Sequence, residues 1–243
     1  MNLIKKLLKT ATQPVYNFFQ RPTIRYSGYF MVMEDVFNYL PFEAVIRTTM
    51  EFIANSNLKG DYLEFGVFQG RHFTSAFHFA QKNRLDFMKF YAFDSFQGLP
   101  EVTGHDTNAP RQFAKGEFSC DVETFKKSIA RSRIDLTKVT IVPGWFNESL
   151  NAETRRKLNI EKVAVVWIDC DFYESTVPVL DFITDYVQDG TVIIFDDWFC
   201  FNGNPEYGEQ RAFREWLERN PSITATEFYK YGWAANSFIL HRR

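Results

Sequence analysis

Cysteine is scarce in this chain and shows no pattern that would tie the fold together. Cys120, Cys170 and Cys200 are the three cysteines in 243 residues, an odd number, and no two of them form a CxxC pair. This spacing argues against a disulfide framework and against a structural zinc site. We therefore predict a protein of a reducing compartment, the cytoplasm.

Long apolar runs and an excess of one charge are also missing. No stretch reaches the roughly 18 apolar residues of a membrane-spanning helix. Lys and Arg number 28 and Asp and Glu number 30, which gives a net charge of -2 and no general attraction to nucleic acid. We predict no nucleic-acid partner. Phe is abundant instead, with 27 residues, and we interpret it as core rather than as a binding surface.

The N-terminal segment permits two interpretations. Residues 1–9 read MNLIKKLLK, with apolar side chains on one helical face and lysines on another. They could make weak contact with an anionic membrane surface, or dock on their own domain or on a second copy in a homo-oligomer. We predict an N-terminal helical arm or lid over residues 1–58 and one domain over residues 59–243.

From residue 61 onward, short apolar runs alternate with helical patterns. Runs without polar alternation are typical of parallel strands that are buried on both faces. Repeated strand–helix units predict an α/β fold with a doubly wound, mostly parallel, Rossmann-like sheet. A long irregular stretch, residues 98–119, is typical of a lid or substrate-binding loop. Strands are predicted at residues 61–66, 89–94, 139–143, 163–170 and 191–196, followed by an antiparallel pair at 226–231 and 236–240.

The first predicted strand ends in a glycine motif that favours a nucleoside ligand. Glu64, Gly66 and Gly70 form an ExGxxxG pattern where the strand turns into a helix. Glycines there let the backbone approach a ligand, and a carboxylate beside them suits a positive group such as a sulfonium or an amine. Asp94 ends the next strand, where an acidic residue can accept both hydroxyls of a ribose. A tight turn and a helix cap are the alternative explanations.

The sharpest feature is an acidic cluster after two strands. Asp169 and Asp171 follow the strand ending in WIDCD, and Asp196 and Asp197 follow IIF. Four carboxylates at neighbouring strand ends repel each other, unless they cap helices or pair with basic residues. Ligation by oxygen atoms alone is typical of Mg²⁺. Such an ion would bind an acceptor hydroxyl and lower its pKa, and a remaining aspartate could take the proton.

These motifs, with PGWFNESL and GEQRAFREWL, occur in the order found in one family. From about residue 60 to its end, the chain resembles the macrocin O-methyltransferase (TylF-type) family, which methylates sugar hydroxyls of bacterial natural products. The resemblance implies a class I S-adenosylmethionine-dependent fold with a seven-stranded sheet and a reversed final hairpin. It implies Mg²⁺ at Asp169, Asp196 and Asp197, Asp171 as the general base, and donor contacts at Glu64, Gly66, Gly70, Asp94, Ser95, Gly144, Trp145, Phe146 and Asp169.

Three alternatives to this function remain open at the level of sequence. Asp169 and Asp171 also form a DxD pattern, which holds a metal in nucleotide-sugar glycosyltransferases. The chain could be a methyltransferase fold that is kept as a non-catalytic scaffold. A third possibility is the same metal chemistry on an aromatic diol. His105 lies in the long loop, where it could approach a substrate, although a solvated histidine is the simpler interpretation.

Overall fold

The computed structural model describes residues 30–108 and 113–243. The predictions for residues 1–9 fall outside this part of the chain. The chain divides into two compact units, Met1–Glu43 and Ala44–Arg243. Among the described residues, no helix has the length and apolar character needed to cross a membrane.

The sheet confirms the predicted α/β class. Its order is β3-β2-β1-β4-β5-β7-β6, with parallel pairing from β3 to β5 and antiparallel pairing of β7 with both β5 and β6. The predicted reversed hairpin is thus present. The strands are β1 (Asp61–Phe65), β2 (Phe90–Asp94), β3 (Val139–Pro143), β4 (Val163–Ile168), β5 (Val192–Phe195), β6 (Ile223–Glu227) and β7 (Asn236–Arg242).

Helices connect the strands where the apolar periodicity predicts them. The first helix precedes the first strand in the chain, and the later helices lie between successive strands as far as β6. Asp121 caps the third helix, accepting the backbone N–H of Thr124 at 2.9 Å, as expected for an acidic residue at a helix start. The helices are α1 (Phe30–Asn55), α2 (Arg71–Lys82), α3 (Val122–Arg131), α4 (Phe146–Ser149), α5 (Ala152–Leu158), α6 (Tyr173–Ile183) and α7 (Gly208–Arg219), with 3₁₀ turns at Gly104–Asn108 and Leu136–Lys138.

The hydrophobic core lies around the central strands. All six residues of β4 are buried, which explains why this strand is apolar without alternation. Strand β1 pairs in parallel with both β2 and β4, so the strand order reverses there. In open α/β sheets, ligands bind at the carboxyl ends of the strands beside such a reversal. The predicted site residues follow these same strand ends.

Candidate active site

The glycine turn after β1 is shaped by close contact with β4. Gly66 has a φ of +85°, and a Cβ added there would lie 1.8 Å from the carbonyl oxygen of Asp169. The N–H of Asp169 in turn donates to the carbonyl of Phe65 at 2.9 Å. Only glycine fits a left-handed conformation with backbone at this distance. The contact that requires glycine is with the protein itself, so the approach of a ligand here stays a prediction.

Gly70 is required by packing between helices. A Cβ at Gly70 would lie 2.8 Å from the side chains of both Phe125 and Ile129 on α3, and its φ is +79°. Helix α2 therefore begins against α3 with no side chain between them. The two motif glycines bring three elements together at the carboxyl edge of the sheet.

Asp94 organises the same turn through its carboxylate. One oxygen accepts the N–H groups of Val67 at 2.8 Å and Phe68 at 3.2 Å, and the other accepts the N–H of Phe96 at 2.6 Å. Burial raises the pKa of Asp94, and these N–H donors oppose the shift. Each carboxylate oxygen can accept more than one hydrogen bond, so the predicted ribose contact is compatible with this arrangement and stays a prediction.

Four other predicted donor contacts, Ser95, Gly144, Trp145 and Phe146, lie near the end of β2. Gly144 donates its N–H to the Asp94 carbonyl at 2.9 Å, which places the segment 144–146 next to the end of β2. The Ser95 hydroxyl donates to the Gly98 carbonyl at 3.0 Å and accepts the N–H of Gln97. Trp145 precedes α4, and the ring of Phe146 packs edge-on against Phe65 at 5.9 Å. Phe146 thus contributes to the core as well as to this loop.

Glu64 is fully buried on the face of β1 that α2 covers. The Tyr62 hydroxyl donates to one of its oxygens, whereas Oε1 has no hydrogen-bond partner. Burial raises the pKa of Glu64 well above its usual range, although the Tyr62 hydroxyl opposes the shift. A buried acceptor without a donor is costly. Oε1 of Glu64 is therefore an unsatisfied acceptor at this edge of the sheet.

Three of the four predicted aspartates form a tight group. Asp169, Asp171 and Asp197 each offer a carboxylate oxygen, and these oxygens lie within 4.8 Å of one another. Asp171 is buried and has a φ of +59°, a left-handed conformation that Asp tolerates better than most residues and that is common at functional sites. Burial, followed by the charges of Asp196, Asp197 and Asp171, raises the pKa of Asp169 well above its usual range.

Asp196 lies beside this group with a partner of its own. The Tyr231 hydroxyl donates to its Oδ1 at 2.8 Å. Burial and the charge of Asp197 raise the pKa of Asp196 to about 7, against the effects of Tyr231 and Arg71. The tight group thus includes Asp171, the predicted base, rather than Asp196, a predicted ligand. Their separate roles stay predictions.

Sequence reasoning missed three side chains at this edge: His72, Tyr231 and Glu209. His72 places Nδ1 3.4 Å from Asp169, and burial lowers its pKa well below the usual value, which favours the neutral ring. Its place in the first turn of α2, two residues after Gly70, was the available signal. Tyr231 and Glu209 come from distant segments that reach the site only through tertiary packing.

The long loop is docked next to the acidic group. Asp106 is buried and accepts the N–H groups of Tyr173 at 2.9 Å and Glu174 at 3.0 Å, which caps the start of α6. His105 is not simply solvated, because its Nδ1 lies 2.9 Å from Arg211 and its ring packs on Tyr173. Helix α6 begins two residues after Asp171, so the loop is anchored near the carboxylates. Its contact with a substrate stays a prediction.

Comparison with known proteins identifies the family. The family model for macrocin-O-methyltransferase (TylF) matches residues 43–220. This chain belongs to that family. The match confirms the resemblance inferred from the motifs, and it includes the glycine turn, the acidic group and the start of α7.

Curated relatives of this TylF-family chain are named as O-methyltransferases. Demethyldecarbamoylnovobiocin O-methyltransferase of Streptomyces niveus is 27% identical over 67% of this chain and 63% of its own length. A rhamnosyl-tetracenomycin-C 4'-O-methyltransferase of Streptomyces olivaceus is 26% identical over 63% of this chain and 58% of its own length. The chain thus spans about three fifths of the length of these two relatives.

Solved structures of O-methyltransferases share the fold. The O-methyltransferase NovP superposes with a TM-score of 0.67 at 21% identity, covering 83% of this chain and 79% of NovP. The calicheamicin methyltransferase CalS11 superposes with a TM-score of 0.66 at 20% identity, covering 98% of this chain and 90% of CalS11. At these identities the likeness shows the class I methyltransferase fold.

Proposed function

We propose that this TylF-family chain is an S-adenosylmethionine-dependent, Mg²⁺-dependent O-methyltransferase that acts on a hydroxyl of a sugar-containing small molecule or glycan. The observation that carries the proposal is the group of three carboxylates, Asp169, Asp171 and Asp197, within 4.8 Å beside the glycine turn of β1. The relative named as a 4'-O-methyltransferase of a rhamnosyl-tetracenomycin C supports the acceptor class.

The residues at the ends of β4 and β5 fit a hard divalent cation. They supply only carboxylate oxygens, the ligand type that Mg²⁺ prefers. The histidine nearest to Asp169, His72, is favoured as the neutral ring and so adds no positive charge of its own to this group. We assign the cation to Asp169 and Asp197 of this group and, as the family resemblance implies, to Asp196 as the third ligand, with Asp171 beside them as the base.

The residues at the ends of β1 and β2 fit the methyl donor. Glu64 has a buried oxygen without a hydrogen-bond partner, which suits an N–H donor or a positive group. Asp94 holds the glycine turn by two backbone hydrogen bonds and keeps acceptor capacity for the ribose. Gly144 and Trp145 lie beside Asp94, where we assign the adenosine.

The chemistry divides between bound groups and side chains. When bound, S-adenosylmethionine supplies the methyl group, and the cation supplies a Lewis acid that lowers the pKa of the acceptor hydroxyl. Asp171, buried at the start of the turn into α6, takes the proton of that hydroxyl. The loop 98–119 orients the acceptor, because alignment of the oxygen with the methyl–sulfur bond provides much of the rate.

Calorimetry of the chelator-stripped protein tests this proposal. We expect S-adenosylhomocysteine to bind in the micromolar range and Mg²⁺ to bind at the acidic group. Asp196→Ala should lose Mg²⁺ binding and keep donor binding, whereas Asp94→Ala should weaken donor binding and keep Mg²⁺ binding. Binding of UDP with Mn²⁺, in place of S-adenosylhomocysteine, would favour a glycosyltransferase instead. A folded protein that binds none of these ligands would indicate a scaffold.

A further inference from the structure

Glu209 is a buried carboxylate with one oxygen unsatisfied. Its side chain is 1% exposed, and its Oε2 accepts the N–H of Asp197 at 3.0 Å. Its Oε1 has no hydrogen-bond partner. A buried polar atom left in this state costs free energy, so a second partner that is not a protein group would explain its retention.

The local backbone holds Glu209 in this position. Gly208, the first residue of α7, has a φ of +53°, and a Cβ there would lie 2.3 Å from the ring of Phe201. The helix therefore begins tightly against Phe201, and its first turn brings Glu209 to the end of β5. The carboxylate interacts electrostatically with all four aspartates of the site, Asp169, Asp171, Asp196 and Asp197.

We propose that Glu209 is a further carboxylate of the cation site, one that positions Asp197 with one oxygen and faces the bound cation with the other. The inference rests on the cation binding of the proposed function. Glu209 lies outside the tight group of three carboxylates, so its role is to support that group and add to its charge. Residues that support metal ligands in this way typically change metal affinity about 10–100-fold when they are replaced.

An alternative role is purely structural, as an acceptor for the backbone at the end of β5. Glu209→Gln separates the two roles, because glutamine has nearly the same size and keeps a carbonyl oxygen for the N–H of Asp197. It removes only the charge. Glu218→Gln, at an exposed position of the same helix, makes the same change in net charge away from the site and is the matched control.

The test is calorimetric titration of the chelator-stripped full chain with Mg²⁺ and with Mn²⁺, together with thermal unfolding in the absence of cations. We expect Glu209→Gln to bind the cations about 10–100-fold more weakly, to bind S-adenosylhomocysteine normally and to unfold at a higher temperature than the wild type. Glu218→Gln should match the wild type in cation affinity.

Wild-type cation affinity in Glu209→Gln, or a lower unfolding temperature with unchanged affinity, would overturn the inference and leave the proposed function intact. If the wild type itself binds neither ion, the cation assignment fails and the inference fails with it. Should Glu209→Gln not fold, Glu209→Asp keeps the charge but withdraws it by one methylene group. We then expect weaker cation binding, and unchanged binding would again overturn the inference.

Discussion

Asp94 ends β2 and Asp169 follows β4, the two strands that flank β1, yet the surroundings of the two carboxylates differ. Asp94 accepts three backbone N–H groups, and both of its oxygens are engaged. Asp169 instead faces the charges of Asp171, Asp196, Asp197 and Glu209. Its nearby histidine, at 3.4 Å, has a lowered pKa.

At the end of β2, a carboxylate is surrounded by backbone hydrogen-bond donors. At the ends of β4 and β5, several carboxylates face one another. On the β2 side, carboxylate and backbone satisfy each other, so the turn that would receive the donor is formed by the protein alone. On the β4–β5 side, like charges are held together at a cost in folding free energy. A bound cation would offset that cost. Substitutions at each side should therefore change stability in opposite directions.

The largest expected effect is at Gly66, where the two sides meet. Gly66→Ala should lower the free energy of unfolding by about 4 kcal/mol or more, because the new Cβ would overlap the Asp169 carbonyl oxygen in a left-handed conformation. Gly116→Ala is the control, with a φ of +82° and no atom within 4 Å of the added Cβ. It should cost only about 1–2 kcal/mol. Equal losses in urea unfolding would contradict the contact between β1 and β4.

A matched pair of neutralising substitutions tests the opposite signs. Asp94→Asn should destabilise the cation-free protein by about 1–3 kcal/mol, because an amide NH₂ would face backbone N–H donors. Asp169→Asn should stabilise it, by about 1 kcal/mol, because it removes one of several repelling charges. Urea unfolding with a chelator present measures both. If both substitutions destabilise the protein, the comparison of the two sides is wrong.

A smaller effect should appear in the pH dependence of Asp196. Its pKa is raised from the usual 3.8 to about 7, so the folded protein holds a proton that the unfolded chain releases. The stability that this proton contributes is complete below about pH 4 and is lost as the pH rises through about 7. Relative to Asp196→Asn, the free energy of unfolding of the cation-free wild type should fall by about 2 kcal/mol between pH 5 and pH 7.

The same pH series with saturating Mg²⁺ sharpens that test. Cation binding requires deprotonated carboxylates, so the stabilisation by Mg²⁺ should increase over the range in which the cation-free protein loses stability. Thermal unfolding of the wild type and of Asp196→Asn measures both trends. If the difference in unfolding temperature between the cation-free wild type and cation-free Asp196→Asn stayed the same from pH 5 to pH 8, the raised pKa of Asp196 would be contradicted.

The smallest expected effect is at the loop. Asp106→Ala removes two hydrogen bonds from the start of α6 and should cost about 1 kcal/mol, the usual value of a helix cap. Asp106→Asn keeps a side-chain acceptor and should lose less. Limited proteolysis within residues 98–119 should become faster in the alanine variant. Unchanged cleavage would show that other contacts hold the loop.

Much of the fold could be predicted from the sequence, because the signals were local. The apolar run of β4 and the acidic strand ends are each contained in a few consecutive residues. The acidic group of Asp169, Asp171 and Asp197 followed from the rule that parallel strands end at one edge. Glu209 could not be predicted, because its place depends on how α7 packs against β5.

The glycines illustrate the same limit. The ExGxxxG pattern predicted a turn, and a turn is present. The reason for glycine lies in atoms far along the chain, the Asp169 carbonyl for Gly66 and the side chains of Phe125 and Ile129 for Gly70. The motif indicates that these positions have no room for a side chain, and the structure shows which atoms occupy that room.

The anchoring of the loop 98–119 has a consequence for how this loop can be exchanged between related chains. The two ends of the loop are joined by a hydrogen bond of 2.8 Å from the N–H of Leu99 to the carbonyl of Glu117. Asp106 accepts only backbone N–H groups from the start of α6. Main-chain groups do not change when side chains do. A loop from a related chain that carries an aspartate at the matching position would make the same two hydrogen bonds with the start of α6. Under the proposed function, exchange of this loop between related chains would change the acceptor that is bound and leave the carboxylates in place.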